Sequence, residues 1–149
     1  MKKLIYIIGI FLIPIIAFGQ ENNIINTNDL YSVDEIAYFK KDSTLVTGKV
    51  NRWYENGQLM KEGTCKDGKQ DGVWKEWHEN GQIESEGTFK DGEEDGLFSM
   101  WHENGQLKGT GNYKNGKKDG IWEEFNEKDE LKAKITYRFG IKVKTENYD

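Results

Sequence analysis

The sequence predicts an all-β protein: an elongated antiparallel β-meander built from 24-residue β-hairpin repeats. Three observations carry this. First, the stretch 63–86, GTCKDGKQDGVWKEWHENGQIESE, recurs as GTFKDGEEDGLFSMWHENGQLKGT from Gly87 and as GNYKNGKKDGIWEEFNEKDELKAK from Gly111. A period of this length marks a repeat architecture. Second, short runs rich in aromatic, β-branched and aliphatic residues are bracketed by Asn-Gly and Asp-Gly pairs, which accept the positive φ that tight hairpin turns require. Third, the glycine-punctuated runs leave no room for a helical period, and the only proline, Pro14, lies outside the repeats.

Residues 1–19 read as a signal peptide. Lys2 and Lys3 precede an apolar run, and Ala17-Phe18-Gly19 supplies small residues for cleavage before Gln20. The run is short against the roughly 20 residues of a spanning helix. Gln20, not a cysteine, stands directly after the cleavage position, which argues against a lipid anchor. The mature chain is therefore expected to be exported, to the periplasm, the cell surface or the medium. Residues 20–34, QENNIINTNDLYSVD, are polar and aperiodic and read as a tether.

The repeat domain is then expected over residues 35–149. A degenerate first unit, 35–58, carries Tyr38, Phe39 and Lys40 in the manner of Thr88, Phe89 and Lys90, and ends in Trp53-Tyr54-Glu55-Asn56-Gly57. Units 59–82, 83–106 and 107–130 follow, and 131–143 forms a terminal half unit. Terminal repeats are atypical because they finish the stack. Lys142 and Lys144 alternate in the tail, as suits an edge strand protected from pairing with another chain.

Within a unit, the turns are expected at Asn56-Gly57, Asn80-Gly81 and Asn104-Gly105. Leu59, Ile83, Leu107 and Leu131 stand six residues before Cys65, Phe89, Tyr113 and Tyr137. That even separation predicts one shared face, with Gly63, Gly87 and Gly111 between them. A two-residue turn at Asn80-Gly81 sets Trp74 opposite Gly87, its ring over the bare backbone, and turns Trp77 outward. A three-residue loop with a bulge at Gly81 reverses this, and a bulge between the tryptophans brings both inside. The sequence leaves these three registers open.

The aromatic series Trp53, Trp74, Trp77, Trp101, Trp122 and Phe125 has two readings. As core it covers glycines, which is the favoured reading; as an exposed stripe it is an interaction surface. The partner-binding candidates are Trp53, Trp77, Trp101 and Phe125.

The pattern G-x-W-x-x-W/F-x-E-N-G-Q-L/I, complete from Gly72 to Gln82 and copied from Gly96 with Phe98 for the first tryptophan, resembles the MORN repeat variant family. Specifically, it is similar to the bacterial repeats of YwqK-type antitoxins of toxin-antitoxin systems. The resemblance covers about residues 47–137. It implies an elongated, twisted β-meander that serves in protein or lipid contacts, with no catalytic residues to carry over.

Charge narrows the partners. The formal net charge is −5, and removing residues 1–19 leaves 19 basic against 26 acidic side chains. An acidic chain is a poor match for nucleic acid or for anionic membrane lipid, both of which call for basic patches. No cofactor or metal is expected. His78 and His102 occupy equivalent places in successive hairpins, roughly 10 Å apart at about 4.8 Å per strand, whereas the ligands of one ion sit about 2 Å from it. The Asp-Gly loops concentrate carboxylates, but their spacing matches no calcium loop, and turn formation accounts for them. Cys65, alone in the sequence, takes the place of Phe89 and Tyr113 and reads as a buried thiol.

An enzyme is not expected, because an active site needs a unique convergence of groups and this chain offers repeated ones. The expected function is an exported, non-enzymatic repeat module that binds a protein. The alternative is an antitoxin or immunity protein that neutralises a toxin by binding it.

Overall fold

Two kinds of turn alternate along the chain, and between them they build the sheet. The computed structural model describes residues 25–33 and 36–148, so the signal-peptide reading of 1–19 and most of the tether lie outside the described residues. The strands are β1 (Ile25–Asn26), β2 (Leu30–Val33), β3 (Ile36–Phe39), β4 (Gly48–Trp53), β5 (Leu59–Lys66), β6 (Lys69–Gln70) and β7 (Gly72–Trp77). They continue as β8 (Ile83–Lys90), β9 (Glu93–Trp101), β10 (Leu107–Lys114), β11 (Lys117–Phe125), β12 (Leu131–Arg138) and β13 (Ile141–Asn147), and one 3-10 turn spans Thr27–Asp29.

The tight turns join β8 to β9, β10 to β11 and β12 to β13, with a fourth after β5. In each, two residues of positive φ lie between paired strand ends: Asp67-Gly68, Asp91-Gly92, Asn115-Gly116 and Phe139-Gly140. This is the two-residue loop whose twist matches that of a hairpin. The wider turns follow a different scheme. His78 N donates to Gln82 O at 2.9 Å and Gly81 N to His78 O at 2.9 Å, a three-residue loop with Gly81 at φ 84. Tyr54 to Gln58 and His102 to Gln106 repeat it, and Asn126 to Glu130 does so with Asp129 at φ 64 in the glycine's place.

Of the three registers left open by the sequence, the turn is therefore the three-residue loop, yet Trp74 still pairs with Gly87. A second register shift explains this. Trp77 pairs with Ile83 but Glu76 with Ser85, which leaves Glu84 as an extra residue on β8. The two irregularities cancel. Because the extra residue sits on the partner strand, β7 runs unbroken, and Trp74 and Trp77 point to opposite faces. The same shift recurs at Met60, Lys108 and Lys132. It overturns the expectation that Leu59, Ile83, Leu107 and Leu131 share a face with Cys65, Phe89, Tyr113 and Tyr137. The even count across each bulge holds, but the bulge itself inverts the pleat.

Trp74 pairs with Gly87, as in one of the three registers the sequence left open, but the glycine its ring covers is a different one. A Cβ on Gly63 would fall inside the Trp74 ring, one on Gly87 inside Phe98 and one on Gly111 inside Trp122. Each ring thus lies over the strand before it. The indole N–H groups of Trp74 and Trp122 then donate to Thr64 O at 3.1 Å and Asn112 O at 3.0 Å, the carbonyls next to the covered glycines. The last place in the glycine series is Ile135, which is buried itself, where Glu146 rather than an aromatic residue stands at the next ring position.

The resulting sheet runs β1-β4-β5-β7-β8-β9-β10-β11-β12-β13, with β6 beside β5. All neighbours are antiparallel except β1 and β4. Residues 36–39 leave the meander: β3 pairs with β2 in a separate two-stranded sheet, and only β4 of the first unit carries the repeat. This small sheet caps the N-terminal end. Val46 is fully buried with Val50, Cys65 and Trp74, against Leu30, Ala37 and Phe39. A second cluster holds Trp122, Ala133 and Ile135, flanked by Phe98, Tyr113 and Tyr137. The rings from Phe98 through Tyr113 and Trp122 to Tyr137 meet edge to face, 5.4, 5.1 and 6.5 Å between centroids. At the C-terminal end β13 is an exposed edge, with a bulge at Val143 and Lys144 held to Glu146 at 2.8 Å.

Gly111→Ala places a methyl group inside the Trp122 ring, and over-packing of this kind costs about 1–3 kcal/mol. Denaturant unfolding is expected to show that loss, while Gly57→Asn, which meets no neighbour and bears only the strain of a side chain at φ 84, costs about 1 kcal/mol or less.

Candidate functional site

Strand parity divides the sheet into an inner face, carrying the covered glycines and their rings, and an outer face. Along β7 the outer residues are Val73, Lys75 and Trp77; along β9, Leu97, Ser99 and Trp101; along β11, Ile121, Glu123 and Phe125. The outer face is therefore three rows running across the strands.

The first row is apolar and exposed: Val73, Leu97 and Ile121, with Leu97 59% exposed. The middle row is polar, Asn51, Lys75, Ser99 and Glu123, and its last three members pair across strands, Lys75 with Glu86 at 3.0 Å, Ser99 with Thr110 at 2.8 Å and Glu123 with Lys134 at 2.9 Å, while Lys49, which stands in the first row, reaches Glu62 diagonally at 3.2 Å. Ion pairs this exposed add little stability and serve mainly to keep the sheet wet. The third row holds Trp53, Trp77, Trp101 and Phe125, each opposite an aliphatic residue: Leu59, Ile83, Leu107 and Leu131. Trp53 is 40% exposed and the other three are half-buried. Among the described residues, none of the four packs against either buried cluster. Trp74 and Trp122 thus belong to the core, whereas Trp53, Trp77, Trp101 and Phe125 lie outside it on the outer face.

The turns beside this third row are tied together. Asn80 Nδ2 donates to Glu103 O at 2.8 Å and Asn104 Nδ2 to Glu127 O at 2.9 Å, while their Oδ1 atoms accept from Gln82 and Gln106 N. Asn56 makes a longer contact of the same kind, 3.5 Å to Glu79 O. Two positions earlier in the turn motif, Tyr54 Oη donates to Trp77 O at 2.7 Å, His78 Nε2 to Trp101 O at 3.1 Å and His102 Nε2 to Phe125 O at 3.2 Å. A carbonyl only accepts, so the histidines carry their proton on Nε2. Both histidines are thus inter-repeat crosslinks. Their sequence signal was the shared spacing of Tyr54, His78 and His102, whose meaning depends on knowing that consecutive turns stack.

Asn56, Asn80, Asn104 and the glycines that follow them all occupy the three-residue turns. Cys65 is buried on the inner face, where burial pushes its thiol pKa up against the weaker opposing pull of Lys61. Among the described residues, no three His, Cys, Asp or Glu side chains converge on one point.

A one-layer meander in which successive hairpins are locked by ring-on-glycine contacts defines a repeat protein of the MORN type. The chain belongs to the MORN repeat variant family, whose repeats match at residues 46–67, 70–91, 94–115 and 118–138, together more than half of its length. Each match is one hairpin centred on a three-residue turn. Proteins built from this repeat are generally non-catalytic. No curated protein matches the chain.

The two tryptophan positions of the motif are expected to separate in unfolding experiments. Trp122→Ala removes a ring that is 2% exposed and costs about 3–5 kcal/mol, whereas Trp101→Ala, outside both clusters, costs well under that.

Proposed function

We propose that this chain is an exported, non-enzymatic repeat module that binds a protein partner along the outer face of its sheet. The observation that carries the reading is the third row: Trp53, Trp77, Trp101 and Phe125 with their aliphatic neighbours form a contiguous apolar band that the chain's own buried clusters do not use. Aromatic side chains of this kind dominate binding energy at protein interfaces. The first row adds apolar surface, and the paired charges between the rows supply the polar contacts that fix a partner's register. Export rests on residues 1–19, with Lys2 and Lys3 before an apolar run and small residues before Gln20. The resemblance to YwqK-type antitoxins gives the second reading, in which the same face holds a toxin.

Crosslinking and mass spectrometry on the native protein test both. Trp101→Ala is expected to lower recovery of the dominant partner by about 30-fold or more, the loss of a hot spot worth roughly 2 kcal/mol, with little change in melting temperature. Undiminished recovery sinks the outer-face assignment. A toxin as the dominant partner selects the antitoxin reading, and a mature N-terminus at Met1 rather than Gln20 removes export.

A further inference from the structure

On the inner face the repeat departs from its own pattern at one place. The ring series Trp74, Phe98 and Trp122 has Val50 one period earlier, and the series Phe89, Tyr113 and Tyr137 has Cys65. Where two rings would stand there is a cleft of about 550 Å³. Val50, Cys65, Trp74 and Phe89 line it from the sheet, and Leu30 and Ala37 from the N-terminal cap. Its size falls within that of small-molecule sites, and so does its make-up of apolar walls with a few polar groups.

The polar groups are placed unevenly. Arg52 stands where later repeats carry Glu76, Met100 and Glu124, so the substitution introduces a cation at this position. Its cross-strand partner is a second cation, Lys61. Lys61 is already engaged, 2.6 Å from the Glu76 carboxylate and over the Trp74 ring at 5.1 Å. Arg52 is exposed at the cleft and has no ion pair among the described residues. The opposite wall carries Glu94, four strands away along the sheet order. The cleft therefore offers one free guanidinium, a ring-lined body and a carboxylate at its far side.

We propose that this cleft binds a small monocarboxylate with an aromatic or branched apolar body. The Arg52 guanidinium receives the carboxylate in a two-point hydrogen bond, and the body lies against Trp74 and Phe89. Glu94 disfavours a second anionic group on the ligand. The cleft is on the opposite side of the sheet from the partner-binding row, and the proposal is independent of that assignment.

Titration calorimetry on the full chain with 3-phenylpropionate and its neutral counterpart 3-phenylpropan-1-ol tests it. The acid is expected to bind at a single saturable site, with the alcohol about tenfold weaker or more, the scale of one charge-assisted hydrogen bond. Arg52→Gln brings the acid down to the level of the alcohol and leaves the alcohol unchanged. Cys65→Phe, which restores the ring of the later repeats, abolishes binding of both; if that variant does not fold, the Arg52→Gln comparison decides alone. Equal affinity for acid and alcohol, indifference to Arg52→Gln, or no binding at millimolar acid overturns the proposal. So does a peptide with a C-terminal phenylalanine that binds where 3-phenylpropionate does not, since it assigns the cleft to a polypeptide end.

Discussion

The whole sheet depends on a ring lying over a strand that has no side chain to obstruct it. A one-layer sheet has no second layer to bury its apolar face, so its core must be made between neighbouring strands. Trp74, Phe98 and Trp122 do this by lying flat on Gly63, Gly87 and Gly111. The contact gains ring burial while the glycine loses nothing, and where an indole is used its N–H finds the adjacent carbonyl. Large residue and absent residue are one device, and neither is useful without the other.

That device works only in one register, which is why the chain tolerates two irregularities per hairpin. The three-residue turn alone would place Trp74 on the wrong face; the extra residue at Glu84 restores it. The same extra residue turns Ile83 toward Trp77, so a single bulge both secures the core and populates the outer face with an aromatic and an aliphatic side chain. Core and outer apolar row are coupled through one backbone feature. The ends are treated differently: at the N-terminus a two-stranded cap and Val46 cover the first hairpin, and at the C-terminus Ile135 fills its own place and β13 stays open.

Much of this was legible in the residues. The Asn-Gly pairs and two of the Asp-Gly pairs, Asp67-Gly68 and Asp91-Gly92, identify their turns because few other residues adopt the required φ, whereas Asp95-Gly96 and Asp119-Gly120 lie inside strands β9 and β11; the 24-residue spacing reveals the repeat directly. The faces were less legible. Alternation counts residues, and the bulges at Met60, Glu84, Lys108 and Lys132 are invisible to counting because no residue type marks them. The same blindness hid which glycine each ring covers, a matter of which neighbouring strand the ring leans toward. Ile36 to Phe39 resemble a repeat strand in composition, yet they pair with β2, since composition does not determine which partner a strand finds.

The cross-repeat hydrogen bonds carry a further meaning. Tyr54, His78 and His102 each reach a carbonyl 23 positions ahead, and Asn56, Asn80 and Asn104 do the same. Every such bond joins one hairpin to the next and ignores all others. The molecule is therefore a ruler marked in units of 24 residues: copying one unit in phase lengthens the outer band by a hairpin and leaves each existing bond with a partner. An insertion out of phase by a single residue would instead misplace every ring beyond it within that hairpin. Length of the outer band is thus a quantity this architecture changes in whole steps, with the cap and the open edge untouched at either end.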